Sequence, residues 1–185
     1  MMKKTMMIAA MLLGLSGIGA AVHSEPVHAA TPATVTTSAV KSGKLTVTPI
    51  KAVGQVDYVP GYGVAVWNAP LTGTPITGQT LKHGTKWRVF SVATFKDQYW
   101  YDNMAWYNLG GNRWVVANYV NIAVDKTVTV GAKPVAVLNG ASYSSNGTGK
   151  VLQPGTKWHV AAEKFNGVLF YHLGGHQWAR ADQFN

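Results

Sequence analysis

Tyr107-Asn108-Leu109-Gly110-Gly111-Asn112-Arg113-Trp114 returns later in the chain as Tyr171-His172-Leu173-Gly174-Gly175-His176-Gln177-Trp178. Two adjacent glycines between aromatic runs mark a tight turn joining two strands. Working outward, Gly84-Thr85-Lys86-Trp87 returns as Gly155-Thr156-Lys157-Trp158. Gly63-Val64-Ala65-Val66-Trp67 is matched by Pro134-Val135-Ala136-Val137-Leu138. One small unit therefore occurs twice. A surface presented twice suits a repetitive ligand, so the duplication is weighed before any catalytic reading.

The outer two phrases recur 71 residues apart, but Leu-Gly-Gly recurs after 64. The first unit thus holds seven extra residues, around Lys96 to Met104. The second has Asn166-Gly167 there, a strong hairpin signal. The extra residues predict a longer aromatic arm in the first unit, with Tyr99, Trp100, Tyr101 and Trp106 as a groove wall or inter-unit contact. Insertions at hairpin tips cost little stability and often carry specificity.

Val64 to Trp67 reads as a short strand, and Asn68 to Thr80, with Pro70, Gly73, Pro75 and Gly78, as a long loop. Gly84 opens a strand from Thr85 to Phe90. Alternation puts Thr85, Trp87 and Val89 on one face and Lys86 with Arg88 on the other. Arg113 to Val116 and Thr127 to Val130 read as further strands. No stretch after the N-terminal region keeps a helical period, so the expected class is all-β.

The 185 residues include 16 Lys plus Arg against 7 Asp plus Glu, a net charge of +9, yet only 12% are charged. Few acids among many bases argue for a polyanionic partner: nucleic acid, an anionic membrane or a phosphate polymer of a bacterial wall. With no cysteine there is no disulfide, no thiol chemistry and no acylated-cysteine anchor.

Residues 1–29 read as a secretory signal: Lys3 and Lys4, an apolar run from Met6 to Val22, and Val27-His28-Ala29 before the cut. Its removal leaves 14 basic (16 − 2) and 6 acidic (7 − 1) residues, a charge near +8. Export makes a specific nucleic-acid partner a poor fit. Residues 30–49 read as a Thr/Ala-rich linker, although Lys44 to Ile50 alternates as a strand would. The units are expected at 50–122 and 123–185. A domain of about 60 residues buries only about 60% of its unfolded surface, so the two are expected to pack together.

Leu81-Lys82-His83-Gly84-Thr85-Lys86, the Trp106-Tyr107-x-Leu109-Gly110-Gly111 strand and Val115-Val116-Ala117-Asn118-Tyr119-Val120 together resemble the repeated C-terminal domain of bacterial surface-layer proteins, the SLAP domain. That domain is related to bacterial Src-homology-3-like wall-binding barrels. The resemblance spans both units, more loosely in the second. It implies two tandem small barrels, secreted and held noncovalently on a Gram-positive wall through an anionic polymer such as teichoic or lipoteichoic acid, or through peptidoglycan, with no membrane span once the signal is removed. The long lattice-forming region of surface-layer proteins has no counterpart here, so the expected role is attachment.

The expected polymer-binding residues are Lys86, Arg88, Arg113, Trp114, Lys157, His159, Trp178 and Arg180. A phosphate polymer needs cationic donors along a track and flat rings for sugar faces. Trp87 and Trp158 fall on the inward face and read as core, whereas Trp114 and Trp178 beside the Gly-Gly turns read as stacking rings or as packing under the turn. Any single lysine equally fits a solvated strand face. No enzyme is expected and no cofactor. Asp97 and Asp102 flank the aromatic arm but read as loop aspartates rather than a glycosidic carboxylate pair. His172 and His176 have helical metal spacing, but Gly174-Gly175 between them breaks a helix. A surface adhesin or aggregation factor and a small wall hydrolase remain the alternatives.

Overall fold

Successive glycines with positive φ reverse the chain at both Leu-Gly-Gly phrases: 97° and 60° at Gly110 and Gly111, 102° and 54° at Gly174 and Gly175. Residues with a Cβ rarely adopt such angles. Each turn is closed by a bond of 2.8 Å, in which the Leu109 N–H donates to the Arg113 carbonyl and the Leu173 N–H to that of Gln177, and in the second the Gln177 N–H also donates to the Gly174 carbonyl (3.0 Å). Asn108, only 2% exposed, braces the first turn by accepting from the Gly110 N–H and donating to the Gly111 carbonyl. His172 takes the corresponding place in the second, its Nε2 2.6 Å from the Gly175 carbonyl.

The structure, a computed structural model, describes residues 44–96 and 104–185. The expected signal sequence, most of the expected linker and residues Asp97 to Asn103 of the expected arm lie outside them. The strands are β1 (Lys44–Val56), β2 (Gly63–Trp67), β3 (Pro75–Lys82), β4 (Lys86–Lys96), β5 (Met104–Asn108), β6 (Trp114–Val116), β7 (Val120–Thr129), β8 (Val135–Leu138), β9 (Gly147–Leu152), β10 (Lys157–Asn166), β11 (Val168–His172) and β12 (Trp178–Arg180). Single 3-10 turns at Ala117–Tyr119 and Ala181–Gln183 follow β6 and β12, and there is no α-helix among the described residues. The all-β class expected from the sequence is what forms.

All pairings are antiparallel, in one open order: β3-β2-β6-β5-β4-β1-β7-β10-β11-β12-β8-β9. The second half of that order mirrors the first, with β7 in the place of β1 and β10 in that of β4. Among the described residues the strand ladders form one open sheet and draw no two closed barrels, although Phe184, beyond β12, bridges back to Val130 at the end of β7. β7 serves both halves: Val120 to Ile122 pair with Val56 to Gly54, and the strand also runs along β10 from Asn121↔Lys164 to Thr129↔Lys157. The expected division at 122/123 therefore falls inside a strand.

Two further sequence expectations change. Lys44 to Pro49 belong to β1, so the alternation noted there is a strand paired with β4 from Lys44↔Lys96. The loop expected from Asn68 to Thr80 ends early, because β3 starts at Pro75. A proline is tolerated at the start of an edge strand, where its missing N–H breaks no ladder. Gly78, at φ 75°, lies within an irregularity that sets Ala65 against Thr80 but Trp67 against Pro75.

Three apolar clusters form the core. Val56, Val89, Leu109, Val115 and Val120 centre the first, Trp106 and Trp114 with Phe95 the second, and Val130, Val137 and Leu152 the third. β10 joins the halves: Trp158 packs on the third cluster and Phe165, seven positions on, packs on the first. An odd separation places them on opposite faces of the strand. Asp57 of the first half meets Lys164 of the second at 2.7 Å, and Tyr107 of the first feels Glu163 of the second.

Candidate functional site

The Gly-Thr-Lys-Trp phrase builds the same small frame twice. Thr85 Oγ1 donates to the Lys82 carbonyl (2.7 Å) and accepts from Trp87 Nε1–H (2.9 Å). Thr156 Oγ1 donates to the Gln153 carbonyl (2.6 Å) and accepts from Trp158 Nε1–H (2.9 Å). Gly84 and Gly155, at φ 81° and 76°, make the preceding turns, and their N–H groups donate to the carbonyls of Val56 and Val130. Each indole edge is thereby fixed. Both rings are half-buried rather than core, which corrects the sequence reading: one side packs on a cluster while part stays open.

In the first half that ring helps line a groove of ≈ 230 Å³ with Gly78, Gln79, Leu81, Leu109 and Arg113. Arg113 is half-buried, its Nε–H bonded to the Gly110 carbonyl (3.1 Å) and Nη2 reaching that of Leu109 (3.4 Å). The turn that recurs in sequence thus aims the guanidinium. In the second half, Lys150 Nζ lies 4.5 Å from the centre of the Trp158 ring and donates to Gln177 Oε1 at 2.9 Å. Nothing in the sequence reading singled out Gln79 or Lys150. The constant offset between copies was the signal that could have found them.

The expected binding residues do not share one track. Lys86 and Arg88 are exposed on β4, as alternation predicts. Lys157 and His159 are exposed on β10. Through the pairs Gln55↔Lys86, Gln55↔Asn121 and Asn121↔Lys164, Lys86 shares a sheet face with Lys164. Lys157 lies seven positions from Lys164, on the other face and roughly 23 Å along the strand. Trp114 and Trp178 are 4% and 7% exposed, which corrects their reading as rings for a ligand: the short strands β6 and β12 turn them under the Gly-Gly turns. Trp178 lies against His172, ring centres 4.6 Å apart. Trp106, expected in the arm, is 4% exposed and belongs to the core. The other arm aromatics, Asp97 and Asp102 lie outside the described residues.

Charge is distributed unevenly. Asp57 contacts Lys164, Asp125 His159, Glu163 Lys126 and Asp182 Arg180. Every carboxylate side chain among the described residues is so engaged. Burial alone would raise the Asp57 carboxyl, but the hydrogen bonds from Lys164 and Asn121 and the Lys164 charge hold it below its ordinary value. Arg180 also lies over the Tyr143 ring, 5.3 Å from its centre. His159 and Arg180 thus carry carboxylate partners, whereas the exposed Lys82, Lys86, Arg88 and Lys157 have no acidic partner among the described residues. No group of three His, Cys, Asp or Glu side chains that could hold a metal occurs among the described residues, and His172 is engaged by its turn. No helix among the described residues is long and apolar enough to cross a membrane.

No family model matches the chain. No curated protein matches it. Among solved structures it is similar to a chain titled Endolysin LysPBC5 CBD, with 22% identity over 73% of this chain and 93% of that one, and a TM-score of 0.29. At that TM-score the similarity carries no weight for fold or function.

Proposed function

We propose that this chain is a secreted, noncovalent binder of anionic cell-wall glycopolymers such as teichoic acid, acting at the surface of a Gram-positive bacterium. In this reading residues 1–29 are a cleaved signal and 30–43 a tether. The repeats are two Src-homology-3-like units of the SLAP type that share β7. The observation that carries it is the imbalance of charge: three of the four carboxylate side chains among the described residues are tied to Lys or Arg and the fourth to His159, leaving Lys82, Lys86, Arg88 and Lys157 on the surface without acids. Such cations favour a phosphate-bearing partner and release its counterions on binding. Binding, not bond cleavage, is the proposed activity.

The test is retention of the full exported chain on purified walls before and after chemical removal of teichoic acid. Loss of retention on the stripped walls is expected, and equal retention on both overturns the reading. By analogy with a flexible nucleic-acid strand, four phosphate contacts would weaken binding about fifty-fold between 50 and 200 mM salt. One observation favours a variant role. Lys86 and Lys157 lie on opposite faces of the shared sheet, which suits bridging of two polymer chains, the behaviour of an aggregation factor. Clumping of wall particles by the monomeric protein would establish it.

A further inference from the structure

We infer that the groove over Trp87 and its counterpart over Trp158 are one ligand subsite built twice, each holding an anionic group of a sugar-bearing polymer beside an indole face. The inference rests on the wall-polymer reading and names where that polymer is gripped.

Gln79 and Lys150 are equivalent, 71 positions apart, and Arg113 and Gln177 are equivalent, 64 apart. The first groove therefore has an amide on its edge strand and a cation after its Gly-Gly turn. The equivalent residues around Trp158 put the cation on the edge strand and the amide after the turn. Both copies keep one cation, one amide and one indole, although cation and amide have changed places. Bulk surface charge does not require that compensation. Each indole is fixed by its threonine and each turn by its own backbone bonds, so the bond from Lys150 to Gln177 adds to an arrangement that is already held. A ligand that must meet a positive charge and an amide beside a ring does require that compensation.

The local geometry fits such a ligand. Arg113 uses Nε and Nη2 on carbonyls, so donors of its five remain for an anion. Gly78 and Gly149, at φ 75° and 81°, stand at equivalent places in the edge strands, and a Cβ built on either meets nothing within 4 Å. The edge-strand backbone is therefore unobstructed at these two glycines. Aromatic faces accept the apolar face of a sugar, while the cation and amide meet a phosphate or carboxylate beside it.

Two measurements test this. In 15N-labelled full-length protein, the indole N–H signals of Trp87 and Trp158 are expected to shift when glycosylated poly(glycerol phosphate) is added, while those of buried Trp114 and Trp178 stay. A uronic-acid polysaccharide tells whether a carboxylate replaces the phosphate, and a neutral glucan should move neither signal. Arg113→Gln with Lys150→Gln is expected to weaken binding about ten-fold or more, as loss of charge-assisted contacts does. Lys51→Gln with Lys133→Gln removes the same charge outside both grooves and should lose less than about three-fold. Arg113→Gln with Gln79→Lys, which gives the first groove the second groove's arrangement, should restore binding to that groove. Equal losses in the two double variants, with the indole spectrum intact, overturn the inference. Retention on walls with unmoved Trp87 and Trp158 signals overturns it and leaves the wall-polymer reading standing. Failure to bind any wall polymer overturns both.

Discussion

Thr85 and Thr156 show how one side chain accounts for a repeated phrase. Each hydroxyl closes a turn and holds an indole, so Thr85→Val removes both bonds. The loss expected is about 1–2 kcal/mol, read from the urea midpoint. Gly174 tests the turn itself. A Cβ there meets nothing within 4 Å, so the cost of Gly174→Ala comes from its φ of 102° alone. About 1–2 kcal/mol is expected in the same assay. Asp57 sets an acid dependence. Its carboxyl titrates at 3.8 when unfolded and lower when folded, so the tie to Lys164 contributes fully above that value and is lost as pH falls through the folded pKa. Asp57→Asn should flatten the acid limb of a stability-versus-pH curve below about pH 4.

At the scale of elements, β10 carries side chains into clusters of both repeats. Its residue Phe165 packs against the first cluster from within the second repeat. Phe165→Ala should cost about 1–3 kcal/mol and lower the thermal midpoint of the entire chain rather than expose a separate transition. The hairpin comparison was legible from residue counting. The ladder between β4 and β5 reaches Phe95↔Met104, and that between β10 and β11 reaches Asn166↔Val168, equivalent positions by both offsets. The seven extra residues thus fall between Lys96 and Met104, where spacing put them. β3 was harder to read, because Pro75 and Gly78 are loop signals locally. Their tolerance depends on lying at a sheet edge, which is a fact about neighbours.

For the whole molecule, the shared strand β7 ties the halves into one cooperative unit. Calorimetric and van't Hoff enthalpies should therefore agree in a single transition. On the alkaline side, Tyr107 is pushed up to about 12 by burial, with the Glu163 charge of the other half adding to the effect. A phenol that ionises near 10 unfolded but near 12 folded makes stability fall as pH rises above 10. Tyr107→Phe should reduce that alkaline loss.

Sequence alone determined the all-β class, the duplication and the excess of cations. These follow from local quantities: a two-residue period, fixed offsets and composition. It also determined the inward and outward faces of the strand after Gly84, because alternation is a property of one strand. Only tertiary structure decided that Trp114 and Trp178 are buried, that the basic residues divide between opposite faces, and that Lys150 lies over the Trp158 indole and bonds Gln177. Each of those depends on which strand lies beside which. Non-local pairing of β7 with both β1 and β10 sets those neighbours, and no local pattern in the chain encodes it.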